Sequence, residues 1–293
     1  MRVGWAGATR CGFRCFYCCV DRDQMSTLRR DPGDSIRGWN ILTNQFGSML
    51  IDVSGMEPTT IPEEISSLTR MGHHLIISTN LSEPPETLFS YGIITDRLYI
   101  VASFHPTHWG YDPIPFLRRL EDYRRKGYHV CAVSIIGHPA FLPHIPLWRD
   151  DIASSGFDVI IHEFIGKYEL GEYPASYTPS DMRIIYPSSD VKQDGRGLPE
   201  EDGDFGFCSA GYKYLWIHYG GEIWCCSHGI KINDDERIQN LFTLDGPIVL
   251  NDGPRPCEIM RICNCNPMMS YWVTTPNGNP QFQRYQSSPI RMN

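Results

Sequence analysis

Cys11, Cys15 and Cys18 stand in the order C-x3-C-x2-C within Arg10-Cys11-Gly12-Phe13-Arg14-Cys15-Phe16-Tyr17-Cys18. Three thiolates on one short loop can ligate three irons of a cubane 4Fe-4S cluster and leave the fourth iron without a protein ligand. An open iron can bind a substrate or cofactor, whereas a fully ligated cluster only passes electrons. Ferredoxin runs differ, because they supply four cysteines and close their clusters. A zinc knuckle is the competing reading of the same residues.

The elements around this loop follow a repeating pattern. Apolar, β-rich runs predict strands over Arg2–Ala8, Met49–Ser54, His74–Thr79, Arg97–Phe104, His129–Ile136 and Asp158–Phe164, each covered on both faces like a parallel strand. Helical segments are predicted between them, over Asp34–Phe46, Pro62–Arg70, Pro84–Tyr91, Pro113–Lys126 and Ile145–Ser154. The helix at 113–126 puts Phe116, Leu117, Leu120 and Tyr123 on one stripe and stops at Gly127. The helix at 62–70 is expected to be capped by the Thr60 hydroxyl, with Glu63 three residues on. Six β-α repeats with right-handed crossovers curl into an open parallel barrel, whose chemistry belongs at the C-terminal ends of the strands. The cysteine loop follows the first strand directly. Residues 166–207 are rich in Tyr, Pro, Asp, Ser and Gly, and Val191–Phe205 reads as a surface linker.

Composition narrows the classes. The chain has 293 residues, 41% hydrophobic and 20% charged, which is ordinary for a globular protein with one large and one smaller domain. No apolar run is long enough to cross a bilayer, and the N-terminus lacks a signal-peptide core, so no membrane partner and a cytoplasmic location are expected. Eleven cysteines in a reducing compartment point to metal or catalysis rather than disulfides. Cys131 alone stands apart, in an apolar run, and reads as a small buried hydrophobe. The net charge of −8 opposes a polyanion, so no nucleic-acid partner is expected.

The triplet, with Tyr17 just before its third cysteine, resembles the signature loop of the radical S-adenosylmethionine (radical SAM) superfamily, whose fold is a partial barrel of six strands. The resemblance implies an α/β partial (β/α)6 TIM-like barrel over 1–190 and a small C-terminal domain containing a β-hairpin over 191–293. It implies that Cys11, Cys15 and Cys18 hold a 4Fe-4S cluster whose open iron chelates S-adenosylmethionine. Ser54-Gly55-Met56-Glu57-Pro58 resembles the family's Gly-Gly-Glu-Pro sequence, with Met56 in place of the second glycine. There the backbone pairs with the SAM amino group and Glu57 assists electrostatically. By the same resemblance Ser78, Thr79 and Asn80 suit ribose hydroxyls. Ser103 then suits the SAM carboxylate or ribose, and Ile136 and Gly137 suit the adenine edge. Glu163 is a candidate substrate contact, and His105, His138 and His162 fit structural roles equally well.

Six cysteines between 208 and 265 form a second constellation. Cys208 and Cys226 bracket a predicted hairpin turning at Gly220-Gly221. With Gly221 as reference, Cys226 completes C-x(9–15)-G-x4-C; with Gly220, Cys225 is the ligand, and both options stand. Together with Cys257, Cys263 and Cys265 this resembles the twitch or SPASM extension of radical SAM enzymes. It implies one auxiliary 4Fe-4S cluster, held by Cys208, Cys226, Cys263 and Cys265. A structural zinc site is the alternative. The resemblance spans about residues 1–170 and 205–266.

The implied chemistry is reductive cleavage of SAM to a 5′-deoxyadenosyl radical, with electrons from a donor such as flavodoxin or ferredoxin. Hydrogen-atom abstraction from an unactivated carbon follows. Two thiols beyond the four of a closed cluster allow Cys225 or Cys257 to serve as a hydrogen donor. The expected outcome is oxidation, as in the twitch-containing dehydrogenases of aminocyclitol antibiotic biosynthesis, or epimerisation, on a sugar-like or other small natural-product intermediate. Epimerisation or crosslinking of a ribosomally made peptide comes second, since no leader-peptide-binding domain is evident before the barrel. An iron–sulfur or zinc-binding protein without enzymatic activity comes last.

Overall fold

The computed structural model describes residues 1–28, 31–187, 207–208, 210–227, 239–256 and 273–274. Six parallel strands lie side by side in chain order: β1 (Arg2–Ala8), β2 (Leu50–Gly55), β3 (His74–Thr79), β4 (Leu98–Phe104), β5 (His129–Gly137) and β6 (Val159–Glu163). The helices are α1 (Arg22–Thr27), α2 (Pro32–Phe46), α3 (Pro62–Arg70), α4 (Pro85–Ser90), α5 (Pro113–Arg125), α6 (Ile145–Ser154) and α7 (Pro179–Ile185). The result is the expected α/β partial barrel. An antiparallel ribbon, β7 (Gly166–Tyr168) and β8 (Gly171–Tyr173), follows β6. Beyond it, β9 (Phe207–Cys208) pairs with β12 (Arg255–Pro256) and β13 (Val273–Thr274). The predicted hairpin forms from β10 (Tyr214–Ile217) and β11 (Ile223–Trp224). It joins the main sheet, because β10 runs parallel beside β1. The sheet therefore has eight strands, with β11 at one edge and β6 at the other.

Strand alternation divides the sheet into two faces. Val3, Trp5, Ile51, Val53, Leu75, Ile77, Ile100, Phe104, Val133 and Ile135 form one buried cluster with Trp39, Leu42, Ile65, Leu68, Phe116, Leu120, Tyr123 and Trp148 of the helices. The alternate residues line the inside of the barrel: Asp52 and Ser54, Ile76 and Ser78, Val101 and Ser103, Ser134 and Ile136. Near the barrel floor Arg2 grips Asp52 with two hydrogen bonds, at 2.6 and 3.0 Å. Burial pushes the Asp52 pKa up and the guanidinium opposes that rise. Hydroxyls replace hydrocarbon higher on this inner face.

Two local readings change. Thr60 does not cap α3; its hydroxyl donates to Glu57 O within a 3-10 turn (Pro58–Thr60), and the cap residue Ile61 makes no side-chain bond. Cys131 is half-buried, because it is the extra residue of a bulge: Ile100 pairs with Val130 and Val101 with Ala132. Residues 166–187 carry a ribbon and a helix, and α7 is fixed by a reciprocal Thr178–Asp181 capping box. The linker expected at Val191–Phe205 lies outside the described residues.

The docking of β10 on β1 depends on Gly4. A Cβ there would stand 2.3 Å from Trp216 Cε3 and 2.4 Å from the Tyr214 hydroxyl. Gly4→Ala should therefore cost about 1–3 kcal/mol of overpacking. The check is the urea midpoint with tryptophan emission as probe, and an unchanged midpoint would show that the indole does not lie on β1.

His73 supplies a pH dependence. It is fully buried, its Nδ1 accepting from Met49 N at 3.1 Å and its Nε2 lying 2.9 Å from Thr43 Oγ1. Burial, helped by Arg97 and His74, pulls its pKa from 6.5 to about 4. The unfolded chain thus takes up this proton first as pH falls. This stability is complete above pH 6.5 and declines toward pH 4 by up to about 3 kcal/mol. His73→Gln should flatten that part of the stability–pH curve, and parallel curves for the two proteins would refute the assignment.

Candidate functional site

At the top of the sheet, β1 and β2 close against each other through backbone alone. Met56 N donates to Ala8 O at 2.8 Å, and Gly55 adopts φ +112°. A Cβ on Gly55 would meet Ala8 O at 2.5 Å and Ala8 N at 2.9 Å, so this position requires glycine. Met56 lies outside the left-handed region and fits as methionine, so the departure from the Gly-Gly sequence leaves the turn intact.

The cysteine loop is pinned on three sides. Arg22, in the first turn of α1, donates to Phe13 O and, at 2.9 Å, to Cys11 O. Phe13 stacks on His108 with ring centroids 4.1 Å apart and 4° between planes, while His108 Nε2 accepts from Arg14 N at 3.1 Å. Tyr17 is buried and stacks on His105, its hydroxyl 2.9 Å from His105 Nδ1. Phe16 and Tyr17 also meet His138 and Phe141 beyond β5. The segments after β4 and β5 thus grip the loop. Phe13, Arg22 and His108 were not singled out from the sequence; loop aromatics and histidines carry no periodic signal that would have found them.

Two of the three sulfurs already have polar partners. Cys11 Sγ accepts from Phe13 N at 3.3 Å and from Asn80 Nδ2 at 3.2 Å. Cys15 Sγ lies 3.5 Å from His105 Nδ1, and Cys18 is exposed. Burial raises the Cys11 pKa and pushes Cys15 up to about 11, the neighbouring Cys11 and Cys18 adding to the latter. Such thiols stay protonated at neutral pH until a cation displaces the proton, which is how thiolate–metal sites load. Among the described residues no three His, Cys, Asp or Glu side chains converge as a ready-made metal site. The donor set nevertheless fits an iron–sulfur group: three reduced thiols on one pinned loop, with N–H groups facing the sulfurs.

Glu57 is fully buried and both its oxygens are engaged. Oε1 accepts from Thr59 N at 3.0 Å, Thr59 Oγ1 at 2.8 Å and Thr79 Oγ1 at 2.6 Å; Oε2 accepts from Asn80 N at 2.8 Å. Burial pushes its pKa up and these donors pull it down. The carboxylate stitches the end of β2 to the end of β3. Thr79 is buried with it, while Ser78 is exposed on the inner face. Pro58 opens the 3-10 turn and is buried. Ser103 Oγ sits 2.9 Å from Ser134 Oγ on the same inner face, beside half-buried Ile136. Gly137 O accepts from the Tyr177 hydroxyl at 2.7 Å.

Glu163 and Cys225 have defined surroundings of their own. Glu163 accepts from the Tyr186 hydroxyl at 3.1 Å and shares strand parity with Ile161, which packs toward the helices. Cys225 and Cys226 are buried just after β11, where the chain has turned back toward the start of β10. Cys225 Sγ is 4.0 Å from Asn251 Nδ2 and packs against Gly211. Because Arg2 N bonds Lys213 O, that region lies level with the start of β1. The length of β1, about 20 Å at roughly 3.3 Å per residue, therefore separates Cys225 from the first cysteine loop. The antiparallel return of the hairpin is the reason. The Cys208 backbone pairs with Arg255 and Val273. Cys257, Cys263 and Cys265 lie outside the described residues.

No protein-family model matches the sequence, and no curated protein matches it. Solved structures do match. Streptococcus suis SuiB bound to S-adenosylmethionine aligns with a TM-score of 0.57 at 14% identity, over 83% of this chain and 64% of SuiB. SuiB bound to its precursor peptide SuiA gives 0.55 at 14% identity, over 83% of this chain and 63% of that one. The protein anSMEcpe with bound AdoMet and the Cp18Cys peptide gives 0.54 at 14% identity, over 83% and 77%. The fold is shared. This chain spans less than two thirds of SuiB's length.

Glu57→Gln offers a direct check on the site's framework. However the amide turns, its NH2 group faces at least one of the donors that the carboxylate now accepts. The loss should be about 2–3 kcal/mol, read as a lower urea midpoint. An unchanged midpoint would mean that these bonds do not hold β2 to β3.

Proposed function

We propose that the chain is a radical SAM enzyme that binds a 4Fe-4S cluster through Cys11, Cys15 and Cys18. The observation carrying this reading is the pinned cysteine loop at the C-terminal end of β1, with Asn80 and His105 directed at two of its sulfurs. The fold it shares with proteins solved with S-adenosylmethionine supports the same reading. With cluster and S-adenosylmethionine bound, such a site supplies a 5′-deoxyadenosyl radical that takes a hydrogen atom from an unactivated substrate carbon.

The chain's own residues bind and orient. Gly55 and Met56 offer backbone groups at the end of β2 to the SAM amino group. Ser78, Ser103 and Ile136 line the inner strand ends where the nucleoside is held, and the Gly137 backbone ends β5 beside them. Glu57 acts by fixing these strand ends, together with Thr79, Asn80 and Pro58. Tyr17, His138 and Phe141 wall one side of the loop with rings. Cys226, with Cys208, Cys263 and Cys265, is the ligand set we assign to one auxiliary cluster of twitch or SPASM type, and Cys225 is the alternative to Cys226. The barrel then comprises 1–190 and the auxiliary part 191–293, with the β10–β11 hairpin bridging them through the sheet.

A peptide is the first substrate class to test, because SuiB and anSMEcpe were solved with peptides. A sugar-like natural-product intermediate is the second, favoured by the polar hydroxyl-lined inner face. Oxidation or epimerisation would follow hydrogen abstraction, with Cys257 the remaining thiol for a donor. A flavodoxin- or ferredoxin-like protein would supply electrons.

The test is anaerobic reconstitution with iron and sulfide, reduction with dithionite, and chromatography for 5′-deoxyadenosine after adding S-adenosylmethionine. The wild-type chain should form it, and Cys15→Ala should reduce the yield to background. Iron-loaded wild-type protein that releases none would refute the reading.

A further inference from the structure

We infer that Asn80 and His105 are positioning residues that set the reduction potential of a cluster on the cysteine loop, by donating hydrogen bonds to Cys11 and Cys15. This rests on the reading of those cysteines as cluster ligands. The two donors come from different strand ends. Asn80 follows β3, and its Nδ2 stands 3.2 Å from Cys11 Sγ. His105 follows β4, and its Nδ1 stands 3.5 Å from Cys15 Sγ and 2.9 Å from the Tyr17 hydroxyl.

Neither side chain is free to drift. Asn80 is buried; its backbone N–H donates to Glu57 Oε2 and its Oδ1 accepts from Ser82 N at 2.8 Å. The amide orientation follows from that pairing, because Oδ1 is committed to Ser82 and the NH2 group is left for sulfur. His105 is sandwiched, its ring stacked on Tyr17 and edge-on to Phe13. Its backbone carbonyl accepts from His108 N and Trp109 N, which fixes the turn that carries it. With Cys15 as thiolate and His105 as its Nδ1–H tautomer, that N–H donates to the sulfur.

In that tautomer both groups present the positive end of an N–H dipole to a ligand sulfur. One-electron reduction adds negative charge that is shared with those sulfurs, so the donors favour the reduced form and raise the potential. The three thiolates alone would not distinguish this loop from any other C-x3-C-x2-C loop. The strand-end donors do.

The experiment is an EPR-monitored redox titration of the anaerobically reconstituted full-length chain, following the reduced-cluster signal that changes on adding S-adenosylmethionine. His105→Phe keeps a planar ring between Tyr17 and Phe13 but removes the donor. His105→Asn returns an amide N–H near the Nδ1 position. Asn80→Leu keeps the volume and removes the other donor. Each loss should move the midpoint to a more negative value. The double variant should shift the reduction equilibrium about tenfold, ~59 mV for one electron. His105→Asn should recover most of the shift due to His105. Unchanged midpoints in iron-loaded variants would overturn the inference, as would loss of iron from both single variants, which would make the residues scaffolding. A wild-type chain that takes up no iron refutes instead the underlying cluster assignment.

Discussion

One buried carboxylate holds the top of the barrel together. Glu57 accepts four hydrogen bonds, two from the turn that follows β2 and two from the end of β3. Burying that group without partners would cost several kcal/mol, so its position dictates where Thr59, Thr79 and Asn80 must stand. From Asn80 the same chain of bonds continues to Cys11 Sγ. Glu57 thus reaches the cysteine loop through the strand ends it ties.

The second constraint is the grip of the segments after β4 and β5 on a loop with no regular structure of its own. Phe13 on His108, Tyr17 on His105, and Phe16 against His138 and Phe141 substitute ring packing for backbone ladders. Aromatic pairs of this kind contribute about 0.5–1.5 kcal/mol each beyond burial. Arg22 closes the loop from the other side by satisfying two of its carbonyls. The sheet contributes too, since β10 on β1 places the start of the C-terminal part beside the strand that carries the cysteines.

The strands were legible because both faces of a parallel sheet are covered, so each reads as a compact apolar run between turn residues. His74–Thr79 and Arg2–Ala8 emerged with the expected bounds. The C-x3-C-x2-C spacing was legible because its three cysteines lie close in sequence on one loop. The clamp was not, since His105 and His108 meet Tyr17 and Arg14 across 88 and 94 positions. Thr60 offered a plausible helix cap but was taken by a 3-10 turn built on Glu57. Conversely, Thr178-Pro179 with Asp181 carried a real capping signal inside a segment whose polar composition disguised it. The position of Cys225 in the sheet was not legible for a geometric reason: hairpin spacing reveals the turn, and only the pairing with β1 tells which end of the sheet the returning strand reaches.

The claim on which this account turns is that S-adenosylmethionine binds at an iron left open by Cys11, Cys15 and Cys18. The most direct measurement is electron–nuclear double resonance on the reduced, reconstituted protein with S-adenosylmethionine labelled with nitrogen-15 at its amino group. The account predicts a hyperfine coupling between that nitrogen and the cluster, lost in Cys11→Ala. A reduced cluster that shows no such coupling, or zinc in place of iron at the loop, would contradict it.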